Sequence, residues 1–218
     1  MKRLLIMALI AVTVGMMFNC GNKTAPVPFD NGDSIESLNV DSTVYGICGN
    51  ATAMNTLQLI TDTGDTLQLE ITEARQNKQV LGGLQAGDRM AVLTDNAQTK
   101  AYIVINQSAL LGNWVMPNPI DGSDELGFSI KEGGIAESIE QSGINYKTWR
   151  LTYGKLELVL SREDGGDENE YYLYDIVKLG PDSLILKDSE DIYEYGRLKP
   201  KKQYEEIELE DASLEDFN

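Results

Sequence analysis

Residues 146–161 read YKTWRLTYGKLELVLS, and the fold turns on how this stretch alternates. Two runs, Tyr146 to Thr152 and Leu156 to Ser161, place large apolar side chains among polar ones and are joined by Tyr153-Gly154. A connection this short forces its two strands to pair antiparallel. The same grammar extends both ways along the chain. Upstream lie Ala109 to Met116, Leu126 to Ile130 and Gly134 to Ile139; downstream lie Tyr171 to Lys178, Ser183 to Lys187 and Ile192 to Leu198, with Gly180-Pro181-Asp182 as another tight link. Short antiparallel strands in such a series predict an up-and-down barrel, because closure removes exposed edges.

Phe128, Ile130, Trp149, Leu158, Leu160, Tyr172 and Tyr174 fall at period-two positions on these strands. They are therefore candidates for the inner row, either as core or as the lining of a ligand cavity. An eight-stranded barrel is just wide enough to be filled by side chains or to hold one small ligand.

The order of motifs in this half resembles the small lipocalin-like domains found in envelope lipoproteins of Bacteroides and relatives. The resemblance rests on Leu110-Leu111-Gly112-Asn113-Trp114 as a Gly-x-Trp opening, Gly134 to Ser138 as a third strand, and Tyr146 to Leu158 as the central hairpin. Tyr174-Asp175-Ile176, Leu184-Ile185-Leu186 and a closing Tyr195-Gly196-Arg197 follow. It covers roughly residues 109 to 200. It implies that Arg197 of the last strand lies over Trp114 of the first as a structural pair, a cation–π stack worth about 0.5 to 2 kcal/mol. An indole there plugs one end of the barrel, and Gly112 lets a neighbouring backbone approach closely.

The upstream half has its own strand signals at Leu38 to Cys48, Asn55 to Thr61, Thr66 to Ile71, Met90 to Leu93 and Ala101 to Asn106, with Glu73 to Gly83 read as a non-strand insert. Thr61-Asp62-Thr63-Gly64-Asp65 is a hairpin turn in which Gly supplies the positive φ. Three strands, an insert, then two strands resembles a five-stranded OB-type Greek-key barrel. Such barrels often hold nucleic acid on basic grooves with aromatic platforms. Ser34 to Ser108 offers eight acids against four bases, with Tyr45 and Tyr102 as its aromatics, so a spacer or protein-contact role fits better.

The N-terminus has Lys2 and Arg3, then an uncharged run from Leu4 to Phe18 ending at Asn19-Cys20-Gly21. That is the layout of an export signal, and the run is too short for a bilayer-spanning helix. It resembles a bacterial lipoprotein signal, which implies that Cys20 is the lipidated new N-terminus. The expected organisation is signal peptide 1–19, tether 20–34, OB-like barrel 35–108, lipocalin-like barrel 109–203 and acidic tail 204–218. Residues 21–34, with Pro26, Pro28, Asn31 and Gly32, show no hydrophobic period, and the tail holds seven acids and no base, as a solvated end does. After cleavage Cys48 is the remaining thiol, so no intrachain disulfide forms, and it reads as a small buried hydrophobe.

Charge and composition bound the chemistry. The 218 residues carry a formal charge of −17 and no His. This excludes Ser-His-Asp and Cys-His catalysis and imidazole zinc sites. It also argues against nucleic acid, whose binding rests on Lys and Arg releasing counterions. The acidic loop Glu163 to Glu170 concentrates carboxylates that could suggest calcium, yet lacks the EF-hand order and reads as a solvated hairpin loop; no metal and no cofactor are expected. Nor does it hold a rigid carboxylate pair for glycoside hydrolysis. The expectation is an all-β, non-enzymatic lipoprotein of the bacterial cell envelope, held to the outer membrane by its lipid and facing the periplasm or the cell surface. Its barrel binds a small apolar molecule or lipid; the alternative is a filled barrel acting as a protein-interaction module of an envelope assembly.

Overall fold

The computed structural model describes residues 41–117, 125–140, 143–164 and 168–198. Both sheets belong to one compact unit of the chain. The signal peptide, Cys20, the tether, the acidic tail and residues 165–167 of the acidic loop lie outside the described residues.

The first sheet contains β1 (Thr43–Cys48), β2 (Thr56–Thr61), β3 (Thr66–Glu70), β4 (Val80–Leu81), β5 (Arg89–Thr94) and β6 (Ala101–Asn106), with helix α1 (Thr72–Gln76) after β3. Its order is β3-β2-β1-β5-β6-β4. All neighbours are antiparallel except β4 with β6. The 61–65 turn closes with Thr61 N–H donating to the Asp65 carbonyl at 2.8 Å and Gly64 at φ 95°. Glu70 forms a parallel bridge to Lys100, bringing the end of β3 to the start of β6.

The insert is corrected in one respect: Val80–Leu81 is a sixth strand, held as the Val104 N–H donates to the Gln79 carbonyl at 2.8 Å. Two residues are too few to show a period, which is why alternation does not reveal them. One face of the sheet encloses Cys48, Leu57, Leu59, Leu69, Met90, Val92 and Val104. Cys48 is buried in that core.

A single helical turn, α2 (Gln107–Leu110), links the two sheets. Strand was expected from Ala109; instead Asn106 caps the turn by accepting the Ala109 N–H at 2.9 Å, the role in which Asn excels. The second sheet is a closed barrel of β7 (Gly112–Pro117), β8 (Glu125–Lys131), β9 (Ile135–Ile139), β10 (Ile144–Thr152), β11 (Lys155–Arg162), β12 (Glu170–Leu179), β13 (Ser183–Lys187) and β14 (Ile192–Arg197). Gly134, expected to open the third strand, ends a 3₁₀ turn instead. Closure comes from pairing the last strand with the first, Arg197 opposite Trp114. The pairing register shifts between Tyr146 and Thr148 and again between Ile176 and Lys178.

The outer face of the first sheet packs on one end of the barrel. Leu81, Ala91 and Ile105 share a core cluster with Leu110, Leu151 and Leu179. The β10–β11 turn is held twice, by Tyr45 Oη donating to the Leu151 carbonyl and by Asp41, which accepts from Thr152 Oγ1 at 2.6 Å and Tyr153 N–H at 3.1 Å. This is the barrel's sheet-facing end; the other, formed by Ile144, Arg162, Glu170, Lys187 and Ile192, is its far end.

Candidate functional site

Around Trp114, at the sheet-facing end, the polar groups are consumed by structure. Trp114 is fully buried, and its Nε1 donates to the Leu110 carbonyl at 2.8 Å. The Arg197 guanidinium lies 4.2 Å from the indole centroid. It donates to the carbonyls of Pro181 at 2.6 Å, Leu111 at 2.8 Å and Ala109 at 2.9 Å. Gly112 has φ 137°, and a Cβ there would sit 2.1 Å from Arg197 Nη1, so a side chain would expel the guanidinium from its carbonyl nest. Trp149 is at this end too, donating from Nε1 to the Lys131 carbonyl at 2.7 Å.

Above this plug the barrel is solid. Ile130, Leu156, Leu158 and Leu184 are almost wholly inaccessible, as side chains of a close-packed core are. Leu160 is buried one step further toward the far end, paired with Tyr146.

The far end changes character. Phe128 contacts Tyr146 at 5.1 Å and Tyr195 at 4.9 Å between centroids, while Tyr174 meets Tyr172 at 6.3 Å and Tyr193 at 5.8 Å. The outer phenols are occupied. Tyr172 Oη donates to Glu170 Oε2 at 2.6 Å and accepts from Arg162 Nη2 at 2.9 Å; Tyr193 Oη donates to Asp188 Oδ2 at 2.9 Å. The hydroxyls of Tyr146, Tyr174 and Tyr195 make no hydrogen bond to any described residue. Burial pushes the Tyr146 phenol up to about 12, with Arg162 partly opposing it. Tyr193 is also pushed up to about 12, by burial and then by its bond to Asp188. Burial raises Tyr174 and Tyr195 as well, and the neighbouring phenols add to this. The phenols of Tyr146, Tyr174, Tyr193 and Tyr195 are thus uncharged at neutral pH.

Of the seven residues expected to form the inner row, Phe128, Tyr172 and Tyr174 join this aromatic layer, Ile130, Leu158 and Leu160 pack beneath or beside it, and Trp149 stands apart at the opposite end. Tyr146, Tyr193 and Tyr195 complete the layer and were not singled out from sequence. Tyr193 and Tyr195 carry the same period-two signal as Tyr172 and Tyr174. Tyr146 is concealed by the register shift, since counting by twos from Trp149 reaches Lys147. Among the described residues no group of three or more acidic or sulfur ligands is placed to hold a metal ion; beside the acidic loop, Arg162 pairs with Glu170 at 3.2 Å and Lys147 donates to Asn169 at 2.8 Å.

An eight-stranded antiparallel barrel, plugged at one end and aromatic at the other, is lipocalin-like in architecture. Residues 106–198 match the lipocalin-like family model. A solved lipocalin-like protein from Bacteroides thetaiotaomicron is 28% identical, aligning with 41% of this chain and 97% of its own, with a TM-score of 0.36. No curated protein matches the chain.

Proposed function

We propose that this chain is a non-enzymatic envelope lipoprotein whose lipocalin-like barrel binds a small apolar molecule or lipid at its far end. The observation that carries the reading is the aromatic layer. Ligand sites pair an apolar, often aromatic lining with a few polar groups that fix orientation. Phe128 and the rings of Tyr146, Tyr174 and Tyr195 supply the first, and three hydroxyls that bond to none of the described residues supply the second. Because these phenols are neutral, an apolar ligand strips water from no charge on them.

Lipid on Cys20 would tether the protein to the outer membrane, facing the periplasm or the cell surface; several acyl chains anchor stably where one is marginal. The upstream region, 35–108, is read as an OB-like spacer or protein-contact module and 109–203 as the binding module. The β1–β2–β3 meander, the β1–β5 and β5–β6 pairs and the Glu70–Lys100 bridge support the OB-like reading. A second reading is favoured by the solid middle of the barrel: no ligand enters, and both modules contact proteins of an envelope assembly.

Organic-solvent extraction of the purified protein followed by mass spectrometry separates the two. A stoichiometric apolar compound supports ligand binding, whereas a clean extract from protein that also takes up no added apolar probe supports the protein-contact reading. The anchor is tested independently with Cys20→Ser, which should abolish acylation and release the protein from membranes; unchanged detergent partitioning would exclude it.

A further inference from the structure

A cleft of about 470 Å³ opens at the sheet-facing end, between the start of β5, the linking turn α2 and the 3₁₀ turn before β9. That volume falls within the roughly 300–1,000 Å³ of small-molecule sites, which favour boundaries between packed modules. Its walls combine an apolar side, Leu111 and Trp149, with a polar side, Gln107 and Ser108, and its rim carries Arg89 and Glu132.

Two observations give this cleft a chemistry. Gln107 Oε1 is buried without a hydrogen-bond partner, and among the described residues it is the one such side-chain atom. A buried acceptor left unpaired costs about 1–3 kcal/mol, and such atoms in native proteins usually answer to a water or a ligand. The unpaired acceptor therefore belongs to a side chain that lines a cavity. The terminal torsion of Gln is soft and two-fold, so either end can turn inward. The second observation is the state of the charges. Arg89 is held by both oxygens of Asp62 at 2.9 Å, so its charge is already matched, and Glu132 on the rim disfavours an anion. The hydroxyl of Ser108 accepts the Arg89 N–H at 2.9 Å and keeps its own proton to donate.

We propose that this cleft is a second binding site, distinct from the aromatic layer, for a small neutral ligand bearing an amide group. An amide answers Gln107 reciprocally: its N–H donates to Oε1 while its carbonyl accepts from Nε2 or from Ser108 Oγ. The carbon next to that amide rests on Leu111 and the indole of Trp149. The amide can come from a peptide unit or from an acetamido substituent on a sugar, and the same chemistry serves both. The proposal is independent of ligand binding at the far end.

The test is an NMR titration of the ¹⁵N-labelled full chain with three probes: N-acetylalanine N′-methylamide, N-acetylglucosamine and glucose. Either amide probe, or both, should shift the Trp149 indole N–H and the Gln107 carboxamide signals to saturation while the Trp114 indole stays in place. Glucose, which lacks the amide, should shift neither. A response to the peptide probe alone or to the sugar amide alone identifies the source; a response to both shows that the amide suffices. Gln107→Leu should weaken binding about tenfold, equivalent to about 1.4 kcal/mol, and Gln107→Glu, which keeps the shape and adds a charge, should do the same. The proposal is overturned if neither amide shifts these signals, if glucose shifts them equally, or if both folded Gln107 variants bind as the parent does.

Discussion

The two ends of the barrel are built from similar material and used differently. At the sheet-facing end an indole, a guanidinium and a set of carbonyls satisfy one another completely: Trp114 donates to Leu110, and Arg197 donates to Ala109, Leu111 and Pro181. At the far end six aromatic rings gather, yet three hydroxyls bond to none of the described residues. Spent hydrogen bonds mark where a barrel is made stable, and unspent ones mark where it can take a ligand. Mutations at the two ends should therefore separate stability from binding.

The largest effect belongs to the plug. Trp114→Ala should cost about 3 to 5 kcal/mol in denaturant unfolding, the range for truncating a buried large aromatic. Arg197→Ala should follow at about 2 to 3 kcal/mol, because it strands carbonyls that accepted charge-assisted bonds. The pair should couple by about 0.5 to 3 kcal/mol in a double-mutant cycle, as residues in contact do. A cycle closing to zero would show that the stacking at 4.2 Å contributes nothing of its own.

Smaller effects are expected where the first sheet grips the barrel. Burial would raise the Asp41 carboxyl, but hydrogen bonds from Thr152, Thr43 and Tyr153 outweigh it and hold it below its ordinary value. A carboxylate with a lowered folded value contributes stability above the ordinary value near 4 and loses it as pH falls through the lowered one. Asp41→Asn should thus cost about 1 kcal/mol at neutral pH and flatten the stability profile below pH of about 4. An unchanged acid profile would remove Asp41 from the account.

At the far end the sign reverses. The phenols of Tyr146 and Tyr193 are raised to about 12, so the stability they contribute is complete below the ordinary value of about 10 and is lost as pH rises toward the raised one. Unfolding monitored from neutral to strongly alkaline pH should show this loss, and Tyr146→Phe should reduce it. The smallest effects come last: Tyr146→Phe, Tyr174→Phe and Tyr195→Phe keep their rings and give up hydroxyls that bond to none of the described residues, so each should change stability at neutral pH by less than about 0.5 kcal/mol. A larger loss would mean that those hydroxyls serve the fold.

The same contrast explains what could be read in advance. Eight strands and their antiparallel order were legible because each run alternates and short glycine-bearing links join them; the Trp114 and Arg197 positions followed from a motif with fixed ends. What escaped did so for local reasons. The Tyr146/Thr148 register shift moves Tyr146 out of the period-two row that contains Trp149, and β4 is shorter than any period. The cleft beside Gln107 has no sequence signature at all, since it arises where α2 and two distant turns converge. Tyr193 and Tyr195 obey the same period-two rule as Tyr172 and Tyr174.

The claim that the aromatic layer binds an apolar ligand while the Trp114–Arg197 plug supports the fold is tested most directly by NMR titration with N-phenyl-1-naphthylamine, a neutral apolar probe. The account predicts saturable shifts in the ring signals of Tyr146, Tyr174 and Tyr195 while the indole N–H of Trp114 holds still. Saturable shifts confined to the indoles, or no saturable shift in those tyrosine rings, would contradict it.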